Sequence, residues 1–259
     1  MTAQPTAKPD RVEVAGIPVH VVDSAGVRRW LAHAVASRPR PGLRLSTVNL
    51  DYLVHAERND AFRSALRSAQ LTVADGAPVL WLSRLTGRRL PERVAGSDLT
   101  EWLVSGGILS ARLFLLGSTE AVCQAVARRA EAAGVRVVGW NTSQPAVFAD
   151  PERSTTLVAE INASKPDVLL TALGAPRQEL WLQRYQPSLD VSVMMGVGAS
   201  LDFAAGRVRR APRFLQRIGL EWAFRLVQEP GRLFRRYVID DLPFLVRVAV
   251  ASVRRKSPS

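Results

Sequence analysis

The stretch Leu71–Leu99, LTVADGAPVLWLSRLTGRRLPERVAGSDL, decides how the rest of the chain is interpreted. Its first four residues form a short apolar run typical of a buried strand, and Asp75-Gly76 follow directly. Open α/β sheets bind ligands in the crevice outside the carboxyl ends of their strands, so an acid at this point faces that crevice. With Arg93 in the same cleft, it would offer a general base and a cation for phosphate. The alternative is an ordinary Asp-Gly turn and a solvated arginine.

Apolar runs and helical spacing alternate on both sides of this stretch. A small hairpin is expected around Gly16, and helices are expected between the later strands. The further expected strands are Leu43–Val48, Arg112–Leu116, Val135–Gly139, Asp167–Thr171 and Val191–Met195. Short apolar strands in alternation with helices predict an α/β protein with a mostly parallel sheet and helices on both faces.

The composition describes a soluble globular chain of 259 residues, with 47% hydrophobic and 22% charged residues. Cys123 is the only cysteine, which excludes a disulfide within the chain and argues against structural zinc. The N-terminus is polar and lacks the apolar core of a signal peptide, and no uncharged apolar run approaches the ~18 residues that span a bilayer. We therefore expect a cytoplasmic protein.

The positive charge is concentrated near the C-terminus. Residues 207–256 hold 13 Lys+Arg against 4 Asp+Glu, which is +9 of the net +12. We therefore divide the chain into a catalytic domain, 1–206, and a basic amphipathic helical appendage, 207–259, that binds a polyanion or an anionic membrane. The final segment, Leu242–Val253, is expected to have little else to bury against, and Asp240-Asp241 is interpreted as a solvated helix face.

Common catalytic signatures are missing from the sequence. It contains no Gly-Lys-Ser/Thr phosphate loop, no Gly-x-Ser-x-Gly elbow and no Asp-x-Asp, so a metal-bound nucleotide sugar has no obvious ligand set. The three histidines lie in unrelated contexts, which argues against a metal cluster. Gly196-Val197-Gly198-Ala199 after a strand is weak evidence for a phosphate held by backbone N–H groups.

Several short motifs occur in order along the chain. They are TVN (47–49), ADG (74–76), ERVAGSD (92–98), GAPRQE (174–179), GVG (196–198), DFAAG (202–206), RAP (210–212), GLEW (219–222) and EP (229–230). Together they resemble the WecG/TagA/CpsF family, glycosyltransferase family 26, over roughly residues 12–245. The resemblance implies a Rossmann-like fold and an inverting, metal-independent transfer without a cofactor. The donor is a UDP-sugar and the acceptor a polyprenyl-diphosphate-linked sugar. N-acetylmannosamine is favoured as the sugar, with glucose and N-acetylmannosaminuronic acid as alternatives.

The resemblance also implies roles for single residues. Asp75 matches the family's general base, which takes the proton of the acceptor hydroxyl as its oxygen attacks the anomeric carbon; partial burial would suit its pKa to this. Arg93 matches an arginine that stabilises the leaving UDP. Thr47, Asn49 and Gln178 match positions that contact the donor sugar. The structural alternatives are a surface ion pair between Arg93 and Glu92, and a capping role for Gln178.

The remaining matched positions concern the nucleotide and the lipid. Asp202 is similar to an acid near the nucleoside. Arg225, Arg232 and Arg235 match arginines that hold the lipid diphosphate, and they share one helical side if the helix is continuous through Pro230. The loop after the Val135 strand lacks the family's usual Gly-Tyr/Phe pair, which leaves Phe148 as the candidate on the uracil side.

The predicted function is sugar transfer in cell-surface polysaccharide synthesis, such as teichoic acid synthesis for the cell wall. The expected location is the inner face of the plasma membrane, with peripheral association through the appendage. A homo-oligomer is left open. The rival hypothesis is a non-enzymatic nucleic-acid-binding α/β protein that uses the same arginines, whereas the enzyme hypothesis expects no nucleic-acid partner.

Overall fold

The computed structural model describes residues 9–142, 150–208, 210–212, 214–215, 221–228 and 230–254, without the side chains of residues 232, 253 and 254. Its centre is a six-stranded parallel sheet with strand order β4-β3-β8-β7-β5-β6. The strands are β3 (Leu43–Val48), β4 (Leu71–Ala74), β5 (Arg112–Gly117), β6 (Arg136–Asn141), β7 (Val168–Ala172) and β8 (Val193–Gly196). The predicted hairpin forms a separate antiparallel pair, β1 (Arg11–Val14) and β2 (Ile17–His20).

Helices connect the strands and cover the sheet. They are α1 (Ser24–Ser37), α2 (Leu50–Arg58), α3 (Asp60–Arg67), α4 (Ala77–Leu85), α5 (Gly96–Val104), α6 (Glu120–Ala132), α7 (Pro151–Ala163), α8 (Arg177–Tyr185) and α9 (Ser200–Ala204). Helical spacing in the sequence predicts one helix from about residue 53 to residue 66, but the structure has two. Asn59 caps the second helix, because its side chain accepts from the Phe62 N–H at 3.0 Å, and this separates α2 from α3.

Alternating side chains show that both faces of the sheet are buried. On β5, Leu113 and Leu115 pack with α1, α5 and α6, whereas Phe114 and Leu116 pack with α7 and α8. A strand covered on both faces needs apolar residues at successive positions, which explains the continuous apolar runs in the sequence. These features confirm the predicted α/β class with a mostly parallel sheet.

The described C-terminal part is helical. It consists of α10 (Glu221–Gln228), α11 (Pro230–Phe234), a π-helical segment (Arg235–Asp241) and α12 (Leu242–Arg254). Helix α12 packs on α4 through the buried Phe244, with Leu245 and Val248 beside it. The expectation that this segment has little to bury against is therefore wrong for one of its sides, because the hairpin, α2 and α4 supply a core. Leu242, Val246 and Val250 remain exposed.

Candidate active site

Two cavities open at the carboxyl ends of the strands. The first, called the main cleft here, lies above β4, β3 and β8 and has a volume of about 520 Å³. The second, the side cavity, lies above β8, β7 and β5 and is of similar volume. Both fall within the range of roughly 300–1,000 Å³ of small-molecule sites. The two share Gly174, Gly198, Ala199, Phe203 and Arg225 as lining residues.

Asp75 stands at the end of β4 in the wall of the main cleft, half-buried. Its Oδ2 accepts a hydrogen bond from the Gly96 N–H at 3.1 Å. A Cβ on residue 96 would lie 2.9 Å from Thr47 Oγ1, so a glycine lets the start of α5 approach β3 and reach the carboxylate. Burial raises the pKa of Asp75 to about 6, while the Arg93 charge and the Gly96 N–H act in the opposite direction.

Arg93 lies in the same cleft, as the sequence predicted, but it is not paired with Glu92. Its Nη1 is 2.9 Å from Glu221 Oε2 and its Nη2 is 3.3 Å from Asp98 Oδ2. Arg210 bonds the same two acids, with Nη1 2.5 Å from Asp98 Oδ1 and Nε 3.4 Å from Glu221 Oε1. Glu92 instead accepts a hydrogen bond from the Ser24 N–H. The alternative of a surface pair between Glu92 and Arg93 is therefore wrong.

The predicted sugar-contacting residues also line the main cleft, and two of them have structural bonds. Asn49 caps α2, because its Oδ1 accepts from the Tyr52 N–H at 3.0 Å. Gln178 is 1% exposed, and its Oε1 accepts from the Gly174 N–H at 3.1 Å. Its Nε2 donates to Tyr52 Oη at 2.7 Å and to Glu179 Oε1 at 2.8 Å. The amide of Gln178 thus holds the Gly174 loop. The start of α8, with Pro176 at its N-cap, has no side-chain capping hydrogen bond, so the alternative that Gln178 caps this helix is wrong.

Glu179 was missed by sequence reasoning. It is buried, and its Oε1 accepts from the Tyr52 hydroxyl at 2.5 Å, while Oε2 has no partner. Burial raises its pKa to about 7, and hydrogen bonds from Tyr52 and Gln178 and the Arg44 charge limit the rise. A Cβ on residue 196 would lie 2.3 Å from Glu179 Oε1, so the glycine of the GVG motif makes room for this acid.

The structure brings only some of the residues predicted to bind the nucleotide and the lipid to the two cavities. Asp202 lines the side cavity, and Arg225 lines both cavities, with its guanidinium 5.4 Å from the Phe203 ring centroid. Arg225 has no acidic partner among the residues that the structure describes. Arg235 is exposed and borders neither cavity. The Arg232 side chain and Phe148 lie outside the described residues, as does residue 229, so continuity through Pro230 stays a prediction.

Other cleft residues were not singled out from the sequence as functional. Asp51 follows Asn49 in the first turn of α2, a position that a strand-end motif could have indicated. Trp81, Arg236, Tyr237 and Asp241 carry no such local signal, because packing of α4 and the C-terminal helices brings them to the cleft. Within the described ranges, no three Asp, Glu, His or Cys side chains are grouped to hold a metal ion.

The fold and the two cavities define a parallel α/β protein with a ligand cleft at the carboxyl ends of its strands. The family model described as Glycosyl transferase WecG/TagA/CpsF family matches residues 12–258, so the chain belongs to this family. The resemblance inferred from the motifs is thereby confirmed. The protein is a glycosyltransferase of cell-surface polysaccharide synthesis that uses a sugar donor and a lipid-linked acceptor.

Proposed function

We propose that the protein moves a sugar, N-acetylmannosamine in the first instance, from a UDP-sugar to a polyprenyl-diphosphate-linked sugar with inversion of the anomeric centre. The single observation that carries this proposal is Asp75, a carboxylate at a strand end in the main cleft, with a pKa raised to about 6 and Arg93 close by. A base with this pKa is ionised at neutral pH and still accepts a proton in the transition state. Family membership supports a sugar donor and a lipid-linked acceptor in general, and the UDP and polyprenyl-diphosphate carriers are part of the proposal.

Asp75 acts as the general base in a single displacement. The acceptor hydroxyl oxygen forms the new bond to the anomeric carbon while the bond between that carbon and the UDP oxygen breaks. The proton of the hydroxyl moves to an Asp75 oxygen, and the bonding electrons leave with UDP. The Gly96 N–H holds Oδ2 at 3.1 Å and so orients the carboxylate for the transfer. No protein nucleophile is required for this inverting reaction.

Arg93 and Arg225 would meet the negative charge of the diphosphate groups. Arg225 borders both cavities without an acidic partner among the described residues, so it is available to a diphosphate that spans them. Arg93 is held in the cleft by Glu221 and Asp98, and negative charge that develops on the leaving group would interact with the same guanidinium. Asp202 in the side cavity suits the ribose hydroxyls of the nucleoside.

The appendage, residues 207–259, would bring the enzyme to the inner face of the plasma membrane. Within the described segments, no helix is long and apolar enough to cross a bilayer. An exposed apolar face on the C-terminal helices, together with a net charge of +9 over residues 207–256, supports binding to an anionic surface. Each basic residue near such a surface contributes about 1 kcal/mol, so reversible attachment is expected.

The test is a panel of UDP-sugars incubated with polyprenyl-diphosphate-linked acceptors and scored for UDP release. We expect UDP-N-acetylmannosamine to give the highest turnover, with UDP-glucose and the uronic acid donor as the alternatives. The Asp75→Asn variant should lower kcat by about 10²–10⁴-fold while its thermal midpoint is kept, because the amide cannot accept the proton. Wild-type turnover by a folded Asp75→Asn enzyme would show that Asp75 is not the general base.

A further inference from the structure

Asp241 is a buried carboxylate that the mechanism above does not use. It ends the π-helical segment Arg235–Asp241, lines the main cleft and is 5% exposed. Its Oδ1 has no hydrogen-bond partner, and its carboxylate forms no ion pair within the described part of the chain. Asp240 beside it is half-exposed and 2.7 Å from Arg58 Nη1. The interpretation of both acids as a solvated helix face is therefore wrong for Asp241.

The surroundings of Asp241 combine acidic, cationic and aromatic groups. Asp51 in the first turn of α2 lies close enough that its charge acts on Asp241, and Asp51 Oδ1 is 3.1 Å from Arg236 Nε. Tyr237 follows Arg236, and its ring meets that of Trp222 edge to face with centroids 6.1 Å apart. All five side chains line the main cleft.

A buried carboxylate without a hydrogen-bond partner raises the free energy of the folded protein, because it has lost its water without gaining a hydrogen bond. Burial and the charges of Asp51 and Asp240 disfavour the ionised form of Asp241, and the charges of Arg236 and Arg58 act in the opposite direction. A group of this kind in a ligand cleft is explained when the ligand supplies the missing hydrogen bond. The ligand group that fits is a neutral donor, since two neighbouring carboxylates repel a phosphate.

We propose that Asp241, Asp51, Arg236 and Tyr237 form the subsite for the sugar ring of the acceptor, with Asp241 accepting hydrogen bonds from its hydroxyl groups. This inference rests on the proposed function. Sugar rings combine hydroxyl edges, which suit carboxylates and an arginine, with apolar faces, which suit aromatic rings.

The acceptor is assigned here, and not the donor, because of the elements that supply the residues. Asp241, Arg236 and Tyr237 belong to the C-terminal helical part, next to the exposed apolar face of α12. The donor positions Thr47 and Asn49 lie on the sheet side of the cleft, at the end of β3.

The experiment compares Asp241→Ala with wild type, using the UDP-sugar and lipid-linked acceptor that the wild-type enzyme turns over fastest. We expect the KM for the acceptor to rise at least about tenfold, as for a lost hydrogen bond to a charged group. The KM for the UDP-sugar and the inhibition constant of polyprenyl diphosphate without a sugar should stay within about twofold. The KM of Asp241→Asn for the acceptor should fall between those of wild type and Asp241→Ala, because the asparagine keeps an oxygen and loses the charge.

The matched control is Asp240→Ala, which removes the neighbouring carboxylate from the outer side of the same segment and should leave all three constants within about twofold of wild type. The thermal midpoint of Asp241→Ala should not fall, because the variant loses a buried charge without a partner. An unchanged KM for the acceptor would overturn the inference while the transferase function stands. The inference would also be overturned if Asp241→Ala raised the inhibition constant of polyprenyl diphosphate as much as the KM for the acceptor. A lowered thermal midpoint with unchanged KM values would overturn it too. If the wild-type enzyme transfers sugar to none of the lipid-linked acceptors, the proposed function itself is wrong, and the acceptor subsite falls with it.

Discussion

At the scale of single residues, burial at the carboxyl end of the sheet produces two acids whose pKa lies near neutrality. Asp75 has its pKa raised to about 6 and Glu179 to about 7, in both cases mainly by desolvation. Their neighbours differ. Asp75 faces the cleft beside Arg93, whereas Glu179 is covered by Tyr52 and Gln178. We therefore expect Asp75 to control activity and Glu179 to control stability.

The activity of the enzyme should fall as the pH drops through about 6, because protonated Asp75 cannot act as a base. The Arg93 charge lowers the pKa of Asp75, so Arg93→Gln should move this acidic limb to higher pH as well as lower kcat. The measurement is kcat/KM against pH for both enzymes. A limb that stays in place, or moves to lower pH, would contradict the coupling between the two residues.

The stability of the fold should depend on Glu179. Its folded-state pKa lies above the ordinary value of 4.5, so the folded state holds a proton that the unfolded state has lost between about pH 4.5 and 7. Stability from this group therefore decreases as the pH rises through that window. Glu179→Gln should flatten the decrease and raise the thermal midpoint at pH 8 by several degrees. An unchanged slope of midpoint against pH would show that Glu179 is ionised throughout.

At the scale of elements, two arginines and two acids join α10 to α5 and to the segment that precedes α5. Glu221 at the start of α10 bonds Arg93 and Arg210, and Asp98 in α5 bonds the same pair. These side chains are 18–36% exposed, so the pairs are better shielded than surface ion pairs. The network fixes the first turn of α10 above the main cleft.

Glu221→Gln should loosen this junction. The loss of one charge leaves two guanidinium groups sharing Asp98, and we expect a stability decrease of about 1 kcal/mol, or roughly 2–4 °C in the thermal midpoint. The matched control is Glu101→Gln in α5, which breaks the more exposed pair with Arg129 and should cost only a few tenths of a kcal/mol. Equal effects of both variants would mean that the network adds nothing beyond a surface pair.

At the scale of the whole molecule, the C-terminal helices have one packed side and one exposed side. Phe244 completes a core with α2 and α4, so removal of residues 207–259 would uncover that core as well as delete the basic surface. Ile239, Val246 and Val250 are 46–58% exposed and line neither cavity. Substitutions at these three positions therefore test membrane binding without disturbing the core.

We expect the triple variant Ile239→Ser, Val246→Ser and Val250→Ser to bind anionic lipid vesicles at least about tenfold more weakly than wild type, because each exposed side chain would bury apolar area in the interface. Leu109→Ser, which changes an exposed leucine between α5 and β5, is the control and should bind as wild type does. Added salt should weaken binding of wild type and control alike. Full vesicle binding by the triple variant would show that another surface meets the membrane.

The sequence by itself determined the parts of this protein that depend on local patterns. Apolar runs located the strands to within one or two residues. Asp75 was placed at a strand end because the preferences for strand and turn depend on only a few neighbouring residues. The motif set identified the family for the same reason, since each motif is a short run of neighbouring residues.

The tertiary structure decided what depends on distant residues. The ion-pair partners of Arg93 lie on α5 and α10. Tyr52 forms a hydrogen bond with Glu179, 127 residues further along the chain. The hydrogen bond between Gln178 and Gly174 depends on the folded conformation of the loop between them. The burial of Asp241 beside Asp51 depends on how the π-helical segment packs against α2. Neighbouring acids with the same local sequence context, such as Asp240 and Asp241, receive opposite environments, because burial is set by the packing of whole elements and not by periodicity along the chain.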